Sequence, residues 1–523
     1  MSPTYAKLTT ALALLVSASL LLAACSPAAT QSPYILAATQ APAAEPWMIA
    51  PADSSAGIPT MQPPNGQAYD YTFFEDYGVN PFIDTEDDIY STFAIDVDTG
   101  AYTIMRSYIN DGSLPPSDSV RVEEYVNYFE QGYPNPPEGQ AFGISIDGAP
   151  SPFTETERYQ MMRVGIQGYA VPEDERKDAS LTFVIDVSGS MDMDNRLGLV
   201  KQSLEILVER LRPTDRVSIV VYGTNARVVL NPTAGNKTSK ILNAIYSLHP
   251  EGVTNAEAGI RLGYEMALEA FNEDGINRVI LCSDGVANMG DTSAGGIWSE
   301  VEDYASRGIT LTTIGFGMDN YNDILMEQLA DNGDGFYAYV DTLAEARSLF
   351  VDNLTSTLQT IAMDAKVQVV FNPEVVSRYR LVGFENRAIA DDEFRDDTVD
   401  AGEIGAGHSV TALYEIKLFE DASGEIATVY MRWENPESGN VLELSQSFSS
   451  DEMAAEFHDA DPYFQRAVLV AEFAEILKES YWAQTSSLDS VLEEAQRLED
   501  YLYADPDMSE FVDLVEDAAR LKH

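Results

Sequence analysis

The sequence predicts an α/β fold in which a doubly wound, mostly parallel sheet is inserted in an antiparallel β domain, with N- and C-terminal helical segments. Two patterns carry this prediction. Between residues 181 and 357, short apolar runs alternate with amphipathic segments, which is typical of a parallel sheet covered by helices on both faces. After residue 360, apolar residues recur at every second position, as in antiparallel strands, and residues 141–170 also look like two or three strands. Because such strands lie on both sides of the α/β segment, we expect them to pair in one β domain.

The first residues have the arrangement of an export signal. Lys7 precedes the uncharged, mostly apolar run Leu8–Ala24, which is short for a membrane span and is followed by Cys25. Leu22–Cys25 resembles a bacterial lipobox, which implies cleavage before Cys25 and acylation of its thiol. We therefore expect an extracytoplasmic protein of the cell envelope that is lipid-anchored to a membrane. An ordinary signal peptide that contains a cysteine is the alternative.

Changes in composition and periodicity predict six segments. A lipoprotein signal peptide covers residues 1–25, and a disordered tether rich in Ala, Pro, Ser and Thr covers residues 26–66. The rest divides into an N-terminal extension with an extended segment, a strand and helices (67–136), a β domain in two parts (137–175 and 362–455), the α/β domain (176–361) and C-terminal helices (456–523).

The elements of the α/β domain follow one another with a regular alternation. Strands are predicted at 181–186, 216–222, 278–284, 308–316 and 335–340, with a short antiparallel edge strand at 226–231. Helices are predicted at 196–211, 238–247, 255–271, 297–306, 324–330 and 343–357. In the first helix, Leu197, Val200 and Leu204 fall on one stripe at the helical period, which indicates the face that packs on the sheet.

The charge and cysteine content exclude two classes of function. The chain has 31 Lys and Arg residues against 85 Asp and Glu residues, a formal net charge of -54, which repels the phosphate backbone of nucleic acids. Its two cysteines, Cys25 and Cys282, lie far apart, and its 4 histidines are scattered. We therefore expect no nucleic-acid partner, no disulfide framework and no zinc site of the Cys/His type.

Polar oxygen ligands gather where the first strand of the predicted sheet ends. Asp186, Ser188 and Ser190 form a D-x-S-x-S motif at its carboxyl end, where an open parallel sheet has its ligand crevice. Asp284 ends the strand expected beside it, and Thr254 begins a helix that opens at the same edge. All-oxygen ligands suit a hard divalent cation, Mg²⁺ first, with Mn²⁺ and Ca²⁺ as alternatives. The competing interpretation is that Asp186 and Ser188 cap the following helix.

Together, DVSGSM, GVTN and CSDGVAN resemble the metal-ion-dependent adhesion site of von Willebrand factor type A domains. The resemblance implies that Ser188 and Ser190 are direct ligands and that Thr254 is a switching ligand. It implies that Asp186 and Asp284 act largely through water, and that a partner's carboxylate completes the coordination. The helix at 343–357 resembles the element that shifts when such domains change affinity.

The resemblance extends beyond this domain, over roughly residues 70–520. STFAIDVDTGAY, LPPSDSVRVEEYVNYF and the β segment after Lys366 are similar to the extensions of a bacterial family of lipoproteins with this domain. Integrin β-subunit domains have two adjacent aspartates at a similar distance after the second serine, where they bind a regulatory calcium. Asp194 matches one of those positions, Met193 occupies the other, and Asp192 lies one residue earlier. A second ion at Asp192 and Asp194 and a pair of solvated loop acids both remain open.

The resulting prediction is a membrane-anchored protein with a metal-dependent, adhesion-type binding domain, whose protein partner presents an exposed Asp or Glu. We expect no enzyme activity and no small-molecule substrate, because no base or nucleophile constellation accompanies the motif. The sequence Asp96–Gly100 departs from the D-x-D-x-T motif of phosphatases at its last position, and Asp98 or Thr99 is instead expected to cap the next helix. Two alternatives are an envelope assembly subunit with a stabilising metal and a metal-dependent hydrolase.

Overall fold

A computed structural model describes residues 74–154, 156, 158–193, 196–285, 297–317 and 322–522. The predicted signal peptide, Cys25, the tether and Asp194 lie outside these residues. Within the described ranges, no helix combines the length and the apolar character that crossing a membrane requires.

The N-terminal region contributes two short strands and two helices: β1 (Ile83–Asp84), β2 (Tyr90–Ala94), α1 (Gly100–Asn110) and α2 (Val122–Asn127). The prediction that Asp98 or Thr99 caps α1 was wrong. Thr99 makes no side-chain capping hydrogen bond, and Asp98 accepts a hydrogen bond from the backbone N–H of Tyr337 at 3.0 Å. The Glu124 carboxylate of α2 caps α1 instead, accepting from the Ala101 N–H at 2.7 Å.

Two antiparallel strands, β3 (Phe142–Pro150) and β4 (Tyr159–Gly168), precede the α/β unit. The unit then follows the alternation that the sequence predicts. Its elements are β5 (Ala179–Asp186), α3 (Leu197–Val208), β6 (Arg216–Tyr222), β7 (Ala226–Ala234), α4 (Thr238–Tyr246), α5 (Ala256–Glu269), β8 (Ile276–Ser283), α6 (Ile297–Ala305), β9 (Thr310–Gly315), α7 (Asp323–Asp331), β10 (Tyr337–Tyr339), α8 (Leu343–Arg347) and α9 (Leu354–Leu358).

The central sheet has the strand order β10-β9-β8-β5-β6-β7, with β7 antiparallel at one edge and the other pairs parallel. Every residue of β5 and β8 is buried, which explains their continuous apolar runs. Phe183 and Ile185 face one hydrophobic core and Val184 faces the other. Strand order reverses at β5, so the predicted doubly wound sheet is confirmed.

The last predicted helix of the unit is not one α-helix. A π-helical turn over Ser348–Asp352 separates α8 from α9, and the Asn353 N–H donates to the Ser348 carbonyl at 2.9 Å. The Thr357 hydroxyl donates to the Leu349 carbonyl at 2.9 Å and so occupies an acceptor that a regular helix would use for a backbone N–H.

The β domain is completed after the α/β unit by β11 (Thr360–Phe371), β12 (Val376–Val382), β13 (Gly402–Gly405), β14 (Ser409–Leu418), β15 (Glu425–Glu434) and β16 (Val441–Ser449). One sheet has the order β1-β12-β14-β4-β3; the other has the order β13-β11-β15-β16, with β2 also paired to β11. Since β4 precedes the α/β unit and β14 follows it, the α/β unit is inserted in an antiparallel β domain, as predicted.

Helices from both ends of the described chain share a core. The C-terminal helices are α10 (Pro462–Leu477), α11 (Leu488–Glu499) and α12 (Pro506–Lys522). Tyr102 of α1 and Tyr125 of α2 are buried with Phe129, Phe473 and Phe511 in one cluster. The predicted N- and C-terminal helical segments are therefore one packed layer, which the sequence pattern alone did not indicate.

Candidate metal centre

The loop after β5 carries the D-x-S-x-S motif in a closely held conformation. Asp186 ends β5 and is fully buried. Its Oδ1 accepts from the Ser188 N–H at 2.7 Å, and its Oδ2 accepts from the Ser283 hydroxyl at 3.2 Å. The hydroxyl oxygens of Ser188 and Ser190 lie 3.0 Å apart. Asp186 is thus held between the ends of β5 and β8, and the two serine oxygens are close enough to bind one ion.

The capping alternative for this loop was wrong. The following helix α3 begins at Leu197, and no side chain caps it. Asp186 instead binds the N–H of Ser188, two residues along, in a turn that shapes the loop.

Backbone hydrogen bonds join the loop that carries Thr254 to the loop that carries the motif. The Gly189 N–H donates to the Gly252 carbonyl at 3.1 Å, and the Glu251 N–H donates to the Val187 carbonyl at 2.5 Å. Gly252 has a φ of +75°, and a Cβ there would lie 2.1 Å from the Thr224 hydroxyl, so the turn requires glycine. Thr254 is half-buried, and among the described residues its side chain makes no hydrogen bond.

Asp284 directly follows β8 and is paired with an arginine that the sequence interpretation missed. Arg196 Nη1 lies 2.5 Å from Asp284 Oδ2 and donates to the Ser190 carbonyl at 3.1 Å. Both side chains are buried. Gly317, at a φ of +88°, leaves room for this arginine, since a Cβ there would lie 2.5 Å from Arg196 Nε. The sequence shows an arginine directly before α3, but nothing in it links this arginine to Asp284.

The electrostatics of the two carboxylates suit a cation. Burial and, as the second cause, the nearby charge of Asp284 raise the pKa of Asp186 to about 7. Burial also raises the pKa of Asp284, against the lowering effects of the Ser190 hydroxyl and Arg196. Arg196 pairs with Asp284, and among the described residues Asp186 forms no ion pair, so a cation at this centre would compensate buried negative charge. The residues present therefore fit a divalent cation: the described donors are hydroxyl and carboxylate oxygens.

The predicted second ion remains untested. Asp192 is exposed at the end of the short helical turn Gly189–Asp192, and its side chain makes no hydrogen bond or ion pair to another described residue. Asp194 lies outside the described residues.

A separate acidic group lies where the N-terminal region, α7 and the β domain meet. Asp96, Asp98 and Glu327 are buried, and one oxygen from each lies within 4.8 Å of the others. The Arg387 guanidinium lies 3.1 Å from Asp96, 2.9 Å from Glu327 and 3.7 Å from Asp98. Because this guanidinium already supplies positive charge to all three, we interpret the group as an ionic network that joins these parts of the fold.

Three family profiles match the chain. They are von Willebrand factor over residues 68–163, the von Willebrand factor type A domain over residues 180–352, and the C-terminal region of the uncharacterized protein YfbK over residues 356–521. The three successive matches correspond to the N-terminal region with the first β strands, the α/β unit, and the later β strands with the C-terminal helices.

Curated relatives agree with these matches. The uncharacterized protein YfbK of Escherichia coli is 36% identical over 395 residues, which cover 70% of this chain and 68% of the relative. The uncharacterized protein sll0103 of Synechocystis is 30% identical over 192 residues, covering 36% of this chain and 44% of the relative. Inter-alpha-trypsin inhibitor heavy chain H2 of Mus musculus is 26% identical over 194 residues, covering 35% of this chain and 20% of the relative.

Solved structures with this domain also align. The von Willebrand factor type A protein from Catenulispora acidiphila is 14% identical, with a TM-score of 0.44, and the alignment covers 74% of this chain and 91% of that one. The ArnB paralog VWA2 from Sulfolobus acidocaldarius is 16% identical, with a TM-score of 0.35, and the alignment covers 73% and 98%. On the profile matches and the identity to YfbK, the chain belongs to the family of bacterial von Willebrand factor type A domain proteins that includes YfbK.

Proposed function

We propose that this protein is a membrane-anchored, extracytoplasmic binding protein whose α/β domain uses a divalent cation, Mg²⁺ first, to bind a carboxylate of a protein partner. The observation that carries the proposal is the pair of serine hydroxyls, Ser188 and Ser190, 3.0 Å apart beside the buried carboxylates Asp186 and Asp284. Domains of this type commonly mediate metal-dependent protein interactions, and the donor set here fits that chemistry.

Each residue of the centre has a distinct part in the proposal. Ser188 and Ser190 would hold the ion directly, and Thr254 would add a hydroxyl from the loop before α5. Asp186 and Asp284 would orient the serines and the ion's waters, since both carboxylates are buried and already bound to neighbouring side chains. The bound cation would supply the electrostatic attraction for an anionic group of the partner.

The surface around the centre favours a protein as the partner. Met193, three residues after Ser190, is 51% exposed, and Val253, next to Thr254, is 67% exposed. Exposed apolar side chains beside a polar centre are typical of protein-binding surfaces. The net charge of -54 cannot attract an acidic partner over long distances, so the short-range contact at the cation must provide the specificity.

The membrane anchor is part of the same proposal and depends on the sequence. The apolar run Leu8–Ala24 followed by Cys25 supports acylation of the Cys25 thiol. Metabolic labelling with a palmitate analogue tests it: the native chain should incorporate label and the Cys25→Ser variant should not. Equal labelling of both chains would contradict the anchor.

The binding role is tested by capture of partners from native membranes with the full chain as bait. Capture should require Mg²⁺, be lost in EDTA, and be lost in the double variant Ser188→Ala/Ser190→Ala. Asp192→Asn is the matched control, because Asp192 is an exposed acid of the same loop. If EDTA and the double variant both capture the same proteins as the native chain does in Mg²⁺, the cation has a stabilising role only, as in the alternative of an envelope assembly subunit.

A further inference from the structure

A cavity of about 620 Å³ lies between the α/β unit and the β domain. Its lining includes the first residues of β8 and β9, so it opens at the amino ends of the parallel strands, away from the candidate metal centre at their carboxyl ends. Apolar walls come from Phe271, Ile276, Leu358 and Ile361. Its volume is within the range of small-molecule sites, and such sites occur preferentially where two domains meet.

One wall of this cavity carries a buried arginine that forms no direct ion pair with a described residue. Arg278 is 3% exposed. Its Nη1 donates to the Thr312 hydroxyl and the Thr357 carbonyl, both at 2.8 Å, and its Nη2 makes one long contact of 3.4 Å with the Thr360 hydroxyl. Among the described residues it forms no ion pair. Burial lowers its pKa to about 10, and the charge of Glu403 acts in the opposite direction without contacting the guanidinium.

Two carboxyl groups of the lining also lack a direct partner. The side chains of Asp334 and Glu403 make no hydrogen bond and no ion pair to any described residue. Burial raises the pKa of Asp334 to about 6, with further contributions from Asp400 and Asp364. Burial raises the pKa of Glu403 well above its usual range, with Asp334 as the next largest cause. Arg278 and the two acids therefore line one cavity without forming an ion pair with one another.

A ligand that carries both charges would compensate both walls. A simple anion would satisfy Arg278, but it would be opposed by the two acids and by the chain's net charge of -54. A zwitterion has no net charge and meets no such long-range opposition. We propose that this cavity binds an amino-acid zwitterion, with its carboxylate on Arg278, its ammonium group on Glu403 and Asp334, and its side chain against the apolar walls.

Ligand-observed NMR on the full chain tests the proposal for all the common amino acids at once. The probe is an equimolar mixture of the proteinogenic amino acids at about 1 mM each, which detects sites of millimolar affinity. At least one amino acid should show saturation transfer. Analogues of that amino acid without the ammonium group or without the carboxylate should bind at least tenfold more weakly. Comparing the amino acid with its homodipeptide then shows whether the cavity prefers a free amino acid or a short peptide. A cavity filled with water alone would give no transfer from any component and would overturn the proposal.

Variants locate the binding. Arg278→Gln should abolish saturation transfer, and the isosteric Glu403→Gln, which removes a carboxyl group that makes no described hydrogen bond, should weaken binding about tenfold and keep the fold. Arg307→Gln is the matched control, because Arg307 also lines the cavity but is ion-paired with the exposed Asp303 at 3.1 Å. Binding that is unchanged in Glu403→Gln, or equal for the zwitterion and its carboxylate-only analogue, would also overturn the proposal. Magnesium and EDTA should leave this binding unchanged, which separates it from the candidate metal centre.

Discussion

Arg196 Nη1 lies 2.5 Å from Asp284 Oδ2 within the candidate metal centre, and both side chains are almost completely buried. The arginine thus places a positive charge beside a carboxylate that the proposed cation also needs. Its second contact, to the Ser190 carbonyl, ties it to the loop that carries the two serines. A cation at this centre must therefore share Asp284 with a guanidinium.

Arg196→Gln should change ion binding and stability in opposite directions. Without the guanidinium, Asp284 is free for the cation, and we expect Mg²⁺ to bind about tenfold more tightly, which is about 1.4 kcal/mol. In EDTA the variant should be less stable by about 3 kcal/mol, because a buried carboxylate loses its partner. Titration calorimetry and urea unfolding measure the two effects. Weaker Mg²⁺ binding in the variant would mean that Arg196 positions Asp284 for the ion.

Divalent cations should stabilise the α/β unit. At about 100 times the dissociation constant, an ion adds about 2.7 kcal/mol to the free energy of unfolding. For a unit of this size we expect a rise of about 5–10 °C in its thermal transition. The double variant Ser188→Ala/Ser190→Ala should lose the shift, and Asp192→Asn should keep it. A double variant that shifts like the native chain would exclude these serines as ligands.

Gly252→Ala should damage the fold and the centre together. The residue must adopt a φ of +75°, and the new Cβ would lie 2.1 Å from the Thr224 hydroxyl, so the loop before Thr254 has to move. We expect a loss of about 1–3 kcal/mol in stability and weaker Mg²⁺ binding. Gly139→Ala is the matched control, because Gly139 has a φ of +84° with nothing within 4 Å of the added Cβ. Equal losses in both variants would assign the effect to backbone strain alone.

Stability should fall between about pH 4.5 and pH 7, partly because of Glu472 in α10. Burial raises its pKa to about 7 in the folded chain, and its Oε1 is buried with no described hydrogen-bond partner. The folded state therefore holds a proton that the unfolded state has already lost, so the free energy of unfolding falls as pH rises through this window. Glu472→Gln should reduce this fall by about 1–3 kcal/mol. Urea unfolding at pH 5 and pH 8 measures it, and an unchanged pH dependence would contradict the assignment.

The sheet and the place of the site could be predicted because their signals are local. Strands such as β5 are buried on both faces, so their residues are continuously apolar, and the strand order brings Asp186 and Asp284 to the same edge. Arg196 could not be predicted in this way. Its partner Asp284 is distant along the chain, and neither spacing nor periodicity links a guanidinium to it.

Features that depend on distant partners were missed for the same reason. The shared core of α1, α2 and the C-terminal helices depends on side-chain packing between distant segments. An apolar stripe shows which face of a helix is buried, but it does not show which other helix covers that face. The cavity has Arg278 on the α/β unit and Glu403 on the β domain. The two side chains line the same cavity only because these two parts pack together, and the sequence does not show that packing. The π-helical turn after α8 is accompanied by a hydrogen bond from the Thr357 hydroxyl to the Leu349 carbonyl, which leaves no periodic signal in the sequence.

The shared core of the first and last helices also has a consequence for the order in which the chain folds. The strands of the parallel sheet find all their partners between Ala179 and Tyr339, so this unit can close without the last third of the chain. The rings of Tyr102 and Tyr125 complete their core only with Phe473 and Phe511, from the far end of the chain. Until those helices dock, α1 and α2 expose apolar surface that makes the partly folded chain prone to aggregation.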